Sequence, residues 1–110
     1  MKTCVCFTFR MNQSFLYSGH QLQIPRRQVN YDDLRALSLN HQDIQVVLPH
    51  GERYRGWLYH HGLNQHLEYY QLHLSDRHVK FPDYLKLDER LVLVLLRTNG
   101  KSLALIEYLS

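Results

Sequence analysis

Three histidines, His60, His61 and His66, stand close together in the chain and are candidates for metal chemistry, because imidazole is the commonest metal ligand in proteins. His60 and His61 are neighbours at the predicted end of a strand, so their side chains point in opposite directions. No carboxylate or cysteine joins them in this run. The sequence therefore predicts no metal ion and no cofactor.

Asp83 and Glu89 are the nearest match to the acidic pair of a magnesium-dependent nuclease. Such a site also needs a lysine, but Glu89 is followed by Arg90 and Leu91, and helix capping explains Asp83 more simply. The sequence has no serine or cysteine nucleophile with a recognisable nucleophile-elbow motif or base partner. It also has no glycine-rich phosphate-binding loop. We expect that this chain alone is not an enzyme.

Amides, guanidinium groups and rings on predicted outward strand positions are the strongest candidates for function. These residues are Gln21, Gln23, Arg55, Trp57, Tyr59, Gln71 and His73. Amides and guanidinium groups can pair with base edges in the major groove, whereas peripheral cations hold phosphates. We predict phosphate contacts from Arg26, Arg27, Arg77 and Lys80, and we also count Arg10 among the DNA-binding residues.

Two polar loops, 11–19 and 60–66, flank these strands and are rich in groups that both donate and accept hydrogen bonds. Base discrimination is predicted to lie in them and in the face between them. The candidate residues there are Asn12, Gln13, Ser14, Ser18, His20, His61, Asn64, Gln65 and His66. The alternatives are that the loops are ordinary surface loops and that Trp57 only caps the end of a core.

Alternating apolar residues predict the strands that carry these groups. In 21–24, Leu22 and Ile24 point one way and the glutamines point the other. Further strands are predicted at 3–10, 44–48, 53–59, 69–74 and 91–96. In 53–59, Tyr54, Gly56 and Leu58 should face the core.

Helices and turns are predicted from capping and turn residues. Asn30 is a good N-cap and Asp32 and Asp33 suit a first turn, which favours a short helix over 31–37. A second short helix is predicted at 82–85. Asn99-Gly100 between two apolar runs is a strong hairpin signal.

The strand at 21–24 is similar to 71–74, and each is followed by a basic turn, a short helix, a strand, a turn and a strand. This pattern indicates an internal two-fold repeat. Two such halves cannot bury their apolar faces alone, so we expect them to close on one another in a small barrel.

Composition places the chain among globular domains. With 110 residues, 45% of them hydrophobic, it is predicted to be one domain spanning 1–110. The net charge of +3 mildly favours polyanionic partners. Cys4 and Cys6 are predicted to be free thiols in the cytoplasm, and no apolar run is long enough to span a membrane.

Several of these motifs resemble a known family, the B-three DNA-binding pseudobarrel of plant transcription factors, and more closely the effector domains of EcoRII-type restriction endonucleases. Ser18-Gly19-His20-Gln21 and the following strand ending in Pro25 are similar to the Gly-His-Gln and Ile-Pro elements of the bacterial domains. Gly51 to Tyr59, Tyr70-Gln71-Leu72 and Val79-Lys80 are similar to segments of the plant pattern. Asp88-Glu89 departs from it by replacing Gly-Asp, and the first loop looks shorter than in the bacterial relatives.

The resemblance implies a mainly β fold, a seven- to eight-stranded open pseudobarrel with two short helices. It also implies a monomer that grips the major groove of double-stranded DNA with two arms, here 11–20 and 60–66. In the restriction enzymes such a domain binds a short recognition sequence, CCWGG in the type case, and a separate, fused or associated nuclease domain cuts.

Two other classes of protein remain open from the sequence. One is a barrel of the AbrB or antitoxin type, which is a dimeric transcriptional regulator. In this chain the two copies of the internal repeat would take the place of the two subunits. The other is a protein-interaction barrel that uses Trp57 and the tyrosines as binding hot spots.

Overall fold

The computed structural model describes residues 4–11, 16, 17, 19–24, 26, 29–37, 43–62, 68–86 and 88–109. They form a mainly β fold with eight strands, one short helix and one 3-10 turn. The strands are β1 (Cys4–Arg10), β2 (Leu16–Tyr17), β3 (Gln21–Ile24), β4 (Asp43–Val47), β5 (Arg53–His61), β6 (Tyr69–Leu74), β7 (Arg90–Thr98) and β8 (Lys101–Tyr108). The helix is α1 (Tyr31–Leu37), and the 3-10 turn spans Phe81–Asp83.

All eight strands belong to one sheet, in the order β1-β7-β8-β4-β5-β6-β3-β2. Neighbouring strands are antiparallel except β4 and β8, which are parallel. In the part of the chain that the structure describes, β1 and β2 are the edges of the sheet and do not pair with each other. The sheet is therefore an open pseudobarrel, as the sequence predicted.

The core lies on the inner side of this sheet because apolar residues alternate along the strands. In β1 the residues Val5, Phe7 and Phe9 are buried, whereas the intervening residues are exposed. The same alternation runs along β7 and β8. Tyr54, Gly56 and Leu58 of β5 face inward as predicted, with Gly56 and Leu58 fully buried.

Helix α1 begins at the predicted cap and closes one end of the core. The Asn30 side-chain oxygen accepts a hydrogen bond from the Asp32 amide at 2.9 Å. Leu34 and Leu37 are buried on the inner face of the helix. The buried Tyr31 hydroxyl donates to the Ile24 carbonyl at 2.9 Å, which joins the helix to the end of β3.

Two details of the secondary structure differ from the prediction. The second helix is only a 3-10 turn, because the backbone leaves helical geometry at Tyr84, which has a φ of −121°. The loop predicted over 11–19 contains β2, which pairs with β3 through Leu16 opposite Leu22. Two residues are too few for an alternation pattern, so the sequence does not reveal this strand.

The Asn99-Gly100 hairpin has the backbone that its sequence predicts. Asn99 and Gly100 both have positive φ, 50° and 75°, as a two-residue hairpin turn of this type requires. Glycine adopts this conformation without strain, and asparagine does so more readily than most residues. The turn holds β7 and β8 in register, with Thr98 opposite Lys101.

The internal repeat stays a prediction. Each half contains a strand, a helical turn and a hairpin, and β3 pairs with β6 so that Leu22 lies opposite Leu72. However, β5 pairs with β6, whereas the corresponding β8 and β3 are not neighbours among the described strands. Neither helical segment described by the structure is long and apolar enough to cross a membrane.

Candidate nucleic-acid interface

The outer side of β3, β6 and β5 carries a continuous group of amides and rings, here called the amide–ring face. Its members are Gln21, Gln23, Trp57, Tyr59, His61, Tyr69, Gln71 and His73. The register of the strands brings them together across the sheet. Gln21 and Trp57 both lie opposite His73, and Gln23 and Tyr59 both lie opposite Gln71.

A chain of hydrogen bonds runs across this face. Gln71 Nε2 donates to Gln23 Oε1 at 3.2 Å, and His73 Nε2 lies 3.1 Å from Gln71 Oε1. An amide oxygen only accepts, so His73 donates from Nε2 and is the tautomer with its proton there. These hydrogen bonds orient the two amides.

His73 is the most buried member of this face and is only 7% exposed, although it was predicted to be accessible among the base-reading residues. The Trp57 indole stacks on its imidazole, with ring centroids 4.0 Å apart and planes inclined by 20°. Burial lowers the pKa of His73 to about 4, with a smaller contribution from the charge of His20. His73 is therefore neutral at pH 7 and supports Trp57 and Gln71 from below.

A cluster of rings continues the face toward the loop after β5. The His61 and Tyr69 rings stack with centroids 4.9 Å apart, and the Tyr59 hydroxyl is hydrogen-bonded to His61 Nδ1 at 3.2 Å. The ring of Tyr59 also meets Trp57 edge-on at 6.0 Å. Trp57, Tyr59 and Tyr69 are partly exposed, so part of their ring surface faces solvent.

The turn before β3 places His20 and Lys80 beside the face. The His20 carbonyl accepts from the Leu74 amide at 2.9 Å, and the Gly19 carbonyl accepts from the Phe81 amide at 2.7 Å. These bonds tie the turn to the end of β6 and to the 3-10 turn. The exposed Lys80 consequently lies next to the end of the first predicted arm.

Arg26 lies just beyond the end of β3, as predicted. Its guanidinium carbon lies 5.8 Å from the centre of the Tyr31 ring, a cation–π contact. The Tyr31 hydroxyl is bound to the Ile24 carbonyl, so the ring that supports Arg26 is itself fixed. Arg26 is therefore a cation with a defined position at one margin of the face.

Arg55 continues the outer side of β5 beyond Trp57. Arg55 Nη2 lies 2.9 Å from Asp43 Oδ2, and both side chains are more than three-quarters exposed, at 78% and 80%. Exposed ion pairs of this kind contribute little to stability because water and salt screen them. Arg55 is therefore an accessible cation, in agreement with its predicted orientation.

The start of the second predicted arm is anchored to helix α1 through Glu68. One Glu68 carboxylate oxygen lies 2.6 Å from Arg35 Nη1 and 2.7 Å from His60 Nε2, and its side chain is 9% exposed. Burial alone would raise the pKa of Glu68. Hydrogen bonds from Arg35 and His60 outweigh that effect and lower the pKa below its ordinary value.

Other predicted site residues lie apart from the face or outside the described residues. Arg10 is on the edge strand β1, opposite Arg90, and five strands separate β1 from β3 in the sheet order. Arg77 is exposed in the turn after β6. The predicted residues outside the described part of the chain are Asn12, Gln13, Ser14, Ser18, Arg27, Asn64, Gln65 and His66.

The sequence did not single out Glu68 or Tyr69 as members of this region. Tyr69 could have been identified, because it begins β6 with the same outward parity as Gln71. Glu68 could not, because its contacts with Arg35 and His60 depend on how helix α1 packs beside β5. Among the described residues, no group of three or more histidine, cysteine or acidic side chains is arranged to hold a metal ion.

Comparison with known proteins finds no matching family model, no matching curated protein and no matching solved structure.

Proposed function

We propose that this chain is a DNA-recognition domain that binds double-stranded DNA sequence-specifically in the major groove. The observation that carries the proposal is the hydrogen-bonded row of Gln23, Gln71 and His73 on an outer sheet surface. Oriented amides can pair with adenine edges, and arginine can pair with guanine. Arg26, Arg55 and Lys80 lie around this row, where cations can hold phosphates.

The dimensions of the domain suit this role. It measures 33 × 32 × 29 Å, which is close to the length of one turn of DNA, roughly 34 Å. The first predicted arm ends in the turn before β3 and the second begins at the end of β5, so each arm adjoins a strand of the amide–ring face. The arms would then enter the groove while the face lies over it.

The specific proposal is that the domain is the effector domain of a type II restriction endonuclease of the EcoRII kind. It would act as a monomer in the cytoplasm on a short site of the CCWGG kind, and cleavage would belong to a fused or associated nuclease domain. The resemblance of the Gly-His-Gln and Ile-Pro elements supports this proposal. Asp88, which stands where the plant pattern has glycine, has a φ of 64°, a backbone conformation that glycine would also adopt.

Selection of bound sites from a pool of random duplexes tests the function directly. A short defined motif, bound with strong salt dependence, is the expected result. The Gln21→Ala, Gln23→Ala double variant is the matched control and should enrich no motif. Failure of the unaltered chain to enrich or bind any duplex would refute the proposal.

Sedimentation of the DNA-bound chain separates the two DNA-binding classes. A bound monomer is expected for the effector-domain proposal, whereas a bound dimer would favour a regulator of the AbrB type.

The ring cluster favours one other function, a protein-binding surface. Trp57, Tyr59 and Tyr69 form a partly exposed aromatic group, and aromatic residues dominate binding hot spots. Strong and salt-sensitive binding to duplex DNA would exclude this alternative as the main function of the face.

A further inference from the structure

A groove of about 470 Å³ lies beside the amide–ring face and is lined by residues of β4, β5 and the β7–β8 hairpin. Three exposed cations line it, namely Arg53, Arg55 and Lys101, together with the carboxylate of Asp43. The hairpin also contributes Thr98 and Gly100. The charged groups of the groove thus carry a net positive charge, which suits an anionic ligand.

The sheet register makes this groove continuous with the amide–ring face. Asp43 lies opposite Trp57 in the β4–β5 pair. Gln45 lies opposite Leu103 in the parallel β4–β8 pair, and Asp43 and Lys101, each two residues earlier in its strand, both line the groove. One row of outer side chains therefore runs from His73 through Trp57 to Asp43, at the groove that Lys101 also lines.

The cations of the groove are held by contacts that an incoming phosphate could share. Arg55 Nη2 lies 2.9 Å from Asp43 Oδ2, and Arg53 Nη1 donates to Gln45 Oε1 at 3.1 Å. Arg55 and Asp43 are both highly exposed, and such pairs are weak in water. These contacts direct the guanidinium groups along the sheet without burying them.

The backbone of Lys101 is fixed in position because Lys101 follows the tight Asn99-Gly100 turn. It pairs with Thr98 across the hairpin, so its backbone is part of the sheet. A lysine whose backbone is fixed in this way can bind a phosphate oxygen through its ammonium group.

We propose that this groove binds the phosphodiester backbone of the DNA whose bases face Gln21, Gln23 and Gln71. The proposal rests on the proposed function and extends the interface to the β7–β8 hairpin. Lys101 and Arg53 contact the backbone, and Asp43 limits the strength of this contact by repelling phosphate. The groove therefore strengthens binding to every sequence and does not select among them.

Opposite charge changes on the two sides of the groove test this proposal in the full chain. Lys101→Ala should weaken binding to preferred and random duplexes equally, and it should lower the salt slope by about 0.9, the effect of one lost phosphate contact. Asp43→Asn should strengthen binding to both duplexes. Lys86→Ala is the matched control, because Lys86 is exposed but does not line the groove.

Fluorescence anisotropy with labelled duplexes at several salt concentrations measures these effects. Melting temperatures like that of the unaltered chain would confirm that the variants fold. If the unaltered chain binds duplex but Lys101→Ala behaves like Lys86→Ala, the groove proposal is wrong and the proposed function stands. If the unaltered chain binds no duplex, both are wrong.

Discussion

The indole of Trp57 lies flat over the imidazole of His73, with the ring centroids 4.0 Å apart. This stack joins β5 to β6 on the outer side of the sheet and covers a histidine that also donates a hydrogen bond to Gln71. The stack thus limits the exposure of the His73 ring, and the hydrogen bond from His73 orients the Gln71 amide.

We expect the fluorescence of Trp57 to report DNA binding directly. Trp57 is the only tryptophan in the chain, and it lies at the centre of the proposed interface. Binding changes the solvent exposure and stacking of its indole, so its emission should shift in intensity or wavelength as duplex is added. A complex detected by anisotropy without any change in emission would place the DNA elsewhere on the molecule.

We expect acid to destabilise the domain through His73. Its pKa is lowered from 6.5 to about 4 in the folded state, so between these values the unfolded chain binds more protons than the folded one. Stability should therefore fall as the pH is lowered from 6.5 to 4. Glu68 contributes only a small part of the loss above pH 5, because its pKa is 4.5 in the unfolded chain and lower in the folded one, so its carboxylate stays mostly ionised in both states there.

Thermal melting at pH 7 and pH 5 measures this effect. His73→Gln, which keeps a hydrogen-bonding side chain but cannot titrate, should show a smaller difference between the two pH values than the unaltered chain. His78→Gln removes an exposed histidine and is the control. An equal pH difference in His73→Gln and His78→Gln would contradict the assignment to His73.

We expect Gly56→Ala to destabilise the barrel. A Cβ atom at Gly56 would lie 2.3 Å from the His73 carbonyl oxygen and 2.8 Å from Val46 Cγ2. Because the oxygen belongs to the backbone of β6, the strands would have to separate, and overpacking of this kind costs about 1–3 kcal/mol. Denaturant unfolding measures the loss. Thr8→Ala, at an exposed strand position, should cost much less, and equal losses would refute the steric explanation.

The sequence predicts the positions of most elements but not the contacts between them. Alternation in 4–10 and capping by Asn30 are local signals, and the structure confirms β1 and helix α1. His73 lies beneath Trp57 because β5 and β6 pair in one register among several that the sequence allows. Its burial could therefore be recognised only from the structure, although the sequence predicted that its strand position faces outward.

We expect Glu68→Gln to loosen helix α1 from β5. The variant loses the charge that holds Arg35 and His60, and breaking hydrogen bonds to a charged group costs about 1–3 kcal/mol. A double-mutant cycle with Arg35→Ala should give a combined loss smaller than the sum of the single losses, because the two residues share one interaction. Strict additivity in denaturant unfolding would show that the contact contributes nothing to stability.

The last prediction concerns which residues read bases and which hold phosphates. Gln21→Ala should cost roughly 1–3 kcal/mol on the selected site and little on random DNA, because an amide discriminates by pairing with a base edge. Lys80→Ala should weaken binding to both DNAs equally and lower the salt slope by about 0.9. If Gln21 only braces its strand, its variant should instead lose affinity equally on both DNAs and melt at a lower temperature. Measuring both affinities, the salt slope and the melting temperature of each variant separates these outcomes. A sequence-selective loss of affinity in Lys80→Ala would show that the assignment of Lys80 to a phosphate contact is wrong.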